Sequence, residues 1–392
     1  MSSKKTNAQS SRMESLDGLR GIAALIVVFA HSMVSQPFYW NLRFVQSEDS
    51  KNIGDLLLLY SPLRIFYSGD KAVILFFLLS GFVLSLPWIN SRQLSYGGFL
   101  VSRVCRIYLP YCAAMALAAV LAFIFGGAPI PGAGDWVNVY GWVNDFSIMN
   151  LPSIILVLGN GFSSWINNPT WSLVWEMRVS LLFPLLIVPV IRWRLWGAFF
   201  VALVLYGLYC LGSFFAGEYS EAAGFLGQPQ DTFYFAGYFL AGIVLAIYRE
   251  FFMALASKGK GIGALAFLVS GCAVWIASPI SDNNFFKALG GALVIVAAIS
   301  EGAPRGWLNK AVVQWLGRVS YSLYLVHVPT ILAFHYILYG IVPYAVISVI
   351  AIPISLVVAE LFYRVVERPS HDLGRSLVKR MSIRASMEAK PI

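Results

Sequence analysis

Charge is scarce in this chain of 392 residues: only 12% are Asp, Glu, Lys or Arg, about half the roughly 25% of soluble domains. That shortage excludes a soluble enzyme and a disordered scaffold. Cysteine is sparse too. The four present (Cys105, Cys112, Cys210 and Cys272) show no CxxC spacing, which excludes a secreted disulfide module and leaves them as small buried apolar residues. The four histidines are scattered, with no HExxH or similar cluster, so neither a metal site nor a resident cofactor is expected. No cleavage site precedes the first apolar run, so the polar stretch Met1–Ser15 leads into a retained anchor rather than a signal peptide.

What the chain has in abundance is apolar sequence. Hydrophobic residues make up 58% and the mean hydropathy is +0.72. Runs such as Gly21–Ala30, Ala72–Trp88 and Val346–Val358 recur along the length. Each, with its flanks, reaches the roughly 20 residues that a helix needs to cross a bilayer. The fold class read from this is an all-α polytopic membrane protein.

The spans expected are 18–37, 71–90, 104–127, 171–191, 195–216, 231–249, 261–279, 286–302, 317–340 and 342–364. Connections rich in Lys and Arg alternate with poor ones; 128–170 and 217–230 contain neither residue. Under the positive-inside rule this gives about ten spans with both termini in the cytoplasm. The apolar segment 146–161 is short and broken by Pro152 and Gly159. It reads as a re-entrant or interfacial element, since counting it as a span inverts every later loop. The net charge of +9 is then topogenic: membrane lipids are partners and nucleic acid is not. Three regions follow, a polar cytoplasmic N-terminus (1–15), a transmembrane domain (16–369) and a basic cytoplasmic tail (370–392).

Ionisable groups within spans are costly and are functional candidates by default. Arg20 and His31 are eleven residues apart, three turns plus about 20°, so they share one face about 16 Å apart along the axis. A cation at the cytoplasmic mouth and an imidazole near mid-membrane suit a ligand with an anionic head and a long arm, as coenzyme A has. Arg20 also reads as a topogenic cap paired with Asp17, and His31 as an imidazole satisfied by a neighbouring backbone. Arg103 and Arg106 lie three apart on one helical face and form either a phosphate clamp or a second topogenic pair. Glu176, in Trp171-Ser172-Leu173-Val174-Trp175-Glu176, is expected in the same half of the membrane as His31, where it orients the imidazole or activates a hydroxyl, or else serves structure. The stripe Ser320, Tyr321, Ser322, Tyr324, His327 supplies either a second active-site imidazole or packing.

Several of these stretches resemble the acyltransferase-3 family of bacterial integral-membrane O-acyltransferases. Leu16-Asp17-Gly18-Leu19-Arg20-Gly21 with His31 resembles its opening motif, and Phe76-Phe77-Leu78-Leu79-Ser80-Gly81-Phe82 its second span. Arg103-Val104-Cys105-Arg106-Ile107 through Pro110 and Trp171 through Glu176 and Pro184 resemble later elements. So do Gly317 through His327 and the closing Glu367-Arg368-Pro369. Ile74 and Arg178-Val179-Ser180 depart from the residues frequent in that family. No hydrolase-like domain is expected after the last span.

The resemblance implies acyl transfer, most often acetyl from acetyl-CoA or another acyl-CoA, to a hydroxyl of a carbohydrate or cell-surface glycan, at the inner membrane of a bacterium. His31 is then the general base or an acyl relay, with Glu176 as its catalytic partner. Arg20, Arg103 and Arg106 hold the CoA phosphates. Asp17, Ser80, Trp171, Ser172, Tyr321 and His327 line the acceptor side or support it. The alternatives are a polysaccharide or lipid-linked sugar transporter without acyl transfer, and a proton-coupled sensor using His31 and Glu176 as a relay.

Overall fold

The computed structural model describes residues 2–46, 51–90, 95–143, 166–216, 230–257, 261–277 and 283–388. The segment 146–161 lies outside them. Among the described residues there are helices and turns and no strand, as a bilayer requires of a chain that must satisfy its backbone internally. Seven helices are long and apolar enough to cross a membrane, and two more are apolar but shorter.

Helix α1 (Ser2–Val34) enters the membrane near Glu14. Short α2 (Pro37–Trp40) and α3 (Ile53–Tyr60) follow at the far end of α1. The second apolar helix is α4 (Gly69–Ile89). Short α5 (Tyr96–Arg103) runs through a π turn, Val104–Tyr108, into α6 (Leu109–Phe125). Next comes α7 (Asp135–Tyr140), which packs beside α2.

The long helix α8 (Trp171–Ala216) breaks at Arg194, where φ is 54° and ψ −126°. Residues eight apart in an unbroken helix are about 12 Å apart on the axis. A Cβ on Gly197 would meet the Pro189 carbonyl oxygen at 2.1 Å, so the chain turns back on itself between two apolar arms. The expected boundary between spans, at Arg192–Arg194, falls on this turn.

Next come α9 (Gln230–Ile247), α10 (Arg249–Ala256), α11 (Ile262–Ile276) and α12 (Asn284–Ile299). Two short helices, α13 (Ala303–Leu308) and α14 (Ala311–Arg318), lead into α15 (Ser320–Leu338) and α16 (Tyr344–Phe362). A second π turn, Tyr363–Glu367, joins α16 to α17 (Arg368–Glu388). Most of the stretch read as a polar tail is therefore helical.

Lipid offers no hydrophobic force between helices, so small residues at crossings bring the backbones together. Gly21 of α1 and Gly317 of α14 meet back to back. A Cβ on Gly21 would lie 2.4 Å from the Gly317 nitrogen, and one on Gly317 would lie 2.3 Å from the Asp17 carbonyl oxygen. This crossing sets Asp17 and Arg20 beside the start of α15. Gly81 of α4 and Gly242 of α9 do the same, each leaving 2.1 Å between an added Cβ and the facing carbonyl oxygen. That contact fixes the face of α4 that carries Ser80.

Candidate active site

A chamber of about 250 Å³ opens among α1, α4, α8, α15 and the two π turns. At its mouth Arg20 pairs with Asp17 at 3.6 Å, and Arg106, Tyr363 and Glu367 enter from the π turns. A π bulge re-aims the side chains of a helix and commonly marks a functional segment; here these two face the same cavity, while a third π turn, Asn41–Val45, does not line it. Arg103 approaches Glu176 at 3.9 Å, and Ser80 Oγ donates to Glu176 Oε1 at 3.1 Å. Tyr321 donates to the Ile107 carbonyl at 2.8 Å. Glu367 accepts from the backbone nitrogen and the hydroxyl of Ser322, which ties the end of the last π turn to α15.

The deep end of the chamber is closed by two hydroxyls. Ser172 Oγ and the Tyr324 hydroxyl are 2.7 Å apart, and both lie near the Pro169 carbonyl oxygen, at 3.2 and 3.0 Å. Beyond them, on the side of α7, stand His31 and His327. The Tyr324 and His327 rings are 6.0 Å apart, one helical turn along α15. His31 and His327 do not belong to the chamber wall; the hydroxyl pair separates them from the arginines.

Their hydrogen bonds constrain the tautomers. His327 Nδ1 lies 2.9 Å from the Leu323 carbonyl oxygen and must carry a proton to bond it. In the neutral ring Nε2 is then bare, and it faces His31 Nδ1 at 3.0 Å. His31 Nδ1 also lies 3.0 Å from the Val27 carbonyl oxygen, so it carries the proton and faces two acceptors. His31 Nε2 lies 3.3 Å from Asn168 Oδ1. That oxygen accepts from a protonated Nε2; with the proton on Nδ1 alone, the amide turned over donates to Nε2 instead.

Asn168 is held by its turn. Asn167 Nδ2 donates to the Leu325 carbonyl at 2.8 Å, Thr170 Oγ1 donates back to the Asn167 carbonyl at 2.8 Å, and Trp142 Nε1 donates to the Ile166 carbonyl at 3.0 Å. The Trp136 ring of α7 stands 5.5 Å from the His31 ring.

Of the residues singled out in the sequence, Asp17, Arg20, Ser80, Arg103, Arg106, Ser172, Glu176 and Tyr321 all line the chamber. Trp171 instead packs against Phe235, with rings 5.9 Å apart. Glu176 stands with Ser80 and Arg103, while the hydrogen bonds of His31 go to Val27, His327 and Asn168. The physical reason is Arg103: a guanidinium at membrane depth draws in the carboxylate, and Glu176 lies a turn nearer the arginines than Ser172. Asn168 escaped notice because Asn-Pro before a span reads as a plain turn. Tyr363 escaped because it reads as the end of the last expected span, and His371 because its helix continues past the last apolar run.

The acyltransferase domain model matches residues 13–364, nearly all the described helices. The chain is 28% identical over 385 residues to "Acyltransferase MdmB" of Streptomyces mycarofaciens, covering 91% of each. It is 22% identical over 407 residues to the peptidoglycan O-acetyltransferase OatA of Listeria monocytogenes, covering 95% of this chain and 58% of that one. Against "Acyltransferase R4" of a Phoma species, 31% identity extends over 132 residues, 27% of this chain and 28% of that one. No solved structure matches. Apolar helices, a chamber walled by those motifs and a domain match over almost the whole length agree: the chain belongs to the acyltransferase-3 family and is a membrane acyltransferase.

Proposed function

We propose that the protein moves an acyl group, acetyl in the simplest case, from acyl-CoA on the arginine side of the chamber to a hydroxyl of a carbohydrate that reaches His31 from the α7 side. The observation that carries this is the placement of His31, held through Nδ1 by Val27 and His327 and set across the Tyr324–Ser172 hydroxyl pair from a chamber lined by the guanidiniums of Arg20, Arg103 and Arg106. Arg20, Arg103 and Arg106 hold the diphosphate, the pantetheine arm runs inward past Ser80 and Glu176, and the thioester comes to rest against the two hydroxyls. Donation from Tyr324 or Ser172 to the thioester oxygen stabilises the charge that develops there.

His31 Nε2 takes the proton of the acceptor hydroxyl as its oxygen attacks the thioester carbon. The carbon–sulfur bond breaks, and His31 returns the proton to the departing thiolate, giving the ester and free CoA. The imidazolium formed between these steps donates from both nitrogens, to Val27, His327 and Asn168. The peptidoglycan O-acetyltransferase named among the relatives supports a glycan acceptor.

The test combines calorimetry with mass spectrometry of surface glycans from cells with and without the protein. His31→Ala is expected to bind CoA as wild type does and to yield no acylated product. Arg103→Ala and Arg106→Ala are each expected to weaken CoA binding about 10–100-fold, since a charge-assisted hydrogen bond contributes about 1.5–3 kcal/mol. CoA binding unchanged in both arginine variants, or wild-type product from His31→Ala, overturns the reading.

A further inference from the structure

The chamber adjoins a second recess of about 350 Å³, and Arg106, Tyr363 and His371 line both. The outer wall of the recess belongs to α17, which contributes Arg368, Asp372 and Arg375. That helix is packed against α5 and the first π turn. A Cβ on Gly374 would lie 2.8 Å from Cys105 Cβ, and Val378 and Met381 lie over Gly98 and Gly97. The recess is thus a built feature between two helices.

Its charge is one-sided. Three guanidiniums line it against one carboxylate, and that carboxylate, Asp372, is engaged by Arg375. Among the described residues no carboxylate lies within ion-pair distance of Arg106 or Arg368. Arginines gathered around an open polar recess match a phosphate, whose oxygens accept the guanidinium fork. The Arg375–Asp372 pair is exposed, and an exposed pair contributes little, so Arg375 can exchange it for a phosphate dianion at small cost.

We propose that this recess binds the ribose 3′-phosphate of the acyl-CoA, with Arg368 and Arg375 as its ligands. The inference rests on the acyl-CoA donor argued above. Coenzyme A carries phosphate in two places: a diphosphate next to the pantetheine arm, and a monophosphate on the ribose, on the far side of the diphosphate from the arm. With the arm directed at Tyr324 and the diphosphate at Arg20, Arg103 and Arg106, the ribose lies on the other side of Arg106 from Tyr324. The recess is on that side. Arg106, on both walls, spans the two phosphate groups.

The experiment is calorimetry of CoA and of 3′-dephospho-CoA with the full chain in nanodiscs of zwitterionic lipid. Wild type is expected to bind CoA about 10–100-fold more tightly than 3′-dephospho-CoA. The double variant Arg368→Ala, Arg375→Ala is expected to bind both ligands equally, with the affinity wild type has for 3′-dephospho-CoA. Retained binding of the dephospho form shows that this variant is folded. Arg364→Ala, which removes a charge paired with Glu360 outside the recess, is expected to keep the full preference. Equal binding of the two ligands by wild type overturns the inference and leaves the donor reading standing. So does a full preference in the double variant, or a loss of both ligands from it. A wild-type preference that vanishes when anionic lipid is added to the nanodiscs overturns it in favour of a lipid headgroup. Failure of wild type to bind either ligand overturns the donor reading and this inference together.

Discussion

The His31 ring is held by backbone carbonyls rather than by a carboxylate. The Leu323 carbonyl faces His327 Nδ1, the Val27 carbonyl and His327 Nε2 face His31 Nδ1, and the Asn168 side chain faces His31 Nε2. In the proposed mechanism His327 is therefore a positioning residue. His327→Ala removes one acceptor of the His31 proton and lets the ring turn; it is expected to lower kcat about 10–100-fold with KM nearly unchanged. His327→Gln, which keeps an acceptor oxygen, is expected to recover part of that loss; a KM effect alone from His327→Ala would show mere packing. Tyr324→Phe tests the hydroxyl pair, and its expected loss is about 10²-fold in kcat with CoA affinity preserved. At this scale the sequence showed the reactive types and the face shared by Arg20 and His31. It did not show the His31–His327 contact, which joins helices 296 positions apart, nor the preference of Glu176 for Arg103 over an imidazole.

Elements were legible where hydropathy governs them. The helices begin and end within a few residues of most expected spans, and the break at Arg194 falls where two basic residues interrupt the apolar run. The π turns at Val104–Tyr108 and Tyr363–Glu367 were not, because one extra residue in a turn leaves no mark on composition. Both sit at the chamber, so the least legible elements are those that aim Arg106 and Glu367. The glycine crossings offer a direct test. Gly317→Leu forces a side chain into the α1 backbone, whereas a Cβ on Gly306 meets nothing within 4 Å. Gly317→Leu is expected to lower the Tm in detergent, with a cost above the roughly 1–3 kcal/mol of ordinary overpacking. Gly306→Leu is expected to leave the Tm nearly unchanged, and equal Tm values for the two variants would refute the close crossing.

For the whole molecule the open quantity is the number of crossings, and it turns on α11 and α12. With 15 and 16 residues they are about 23 Å long, short of the roughly 30 Å hydrocarbon core. Their far ends are nonetheless tied to the start of α4. Lys287 pairs with Asp70 at 2.7 Å, and Lys71 donates to the Trp275 carbonyl. Asp70 and Lys71 open the second apolar helix, on the side where α1 ends, so the tip of the α11–α12 hairpin reaches the level of that mouth. At the other end Gly263 lies on Ala256, beside the basic connection 258–260. A hairpin of this reach is expected to cross, with the membrane thinned or the flanking residues snorkelling to match. Together with the two arms of α8, ten crossings are then expected, with both ends of the chain on the basic side. With the four native cysteines replaced by serine, Asn283→Cys is expected to react with a membrane-impermeant maleimide in intact cells. Ser257→Cys is expected to react only after permeabilisation, and a fluorescent protein fused after Arg384 is expected to stay cytoplasmic. If Asn283→Cys and Ser257→Cys are protected alike in intact cells, the hairpin does not cross and the count falls to eight. The tail then stays cytoplasmic, because removing two crossings leaves the later topology unchanged.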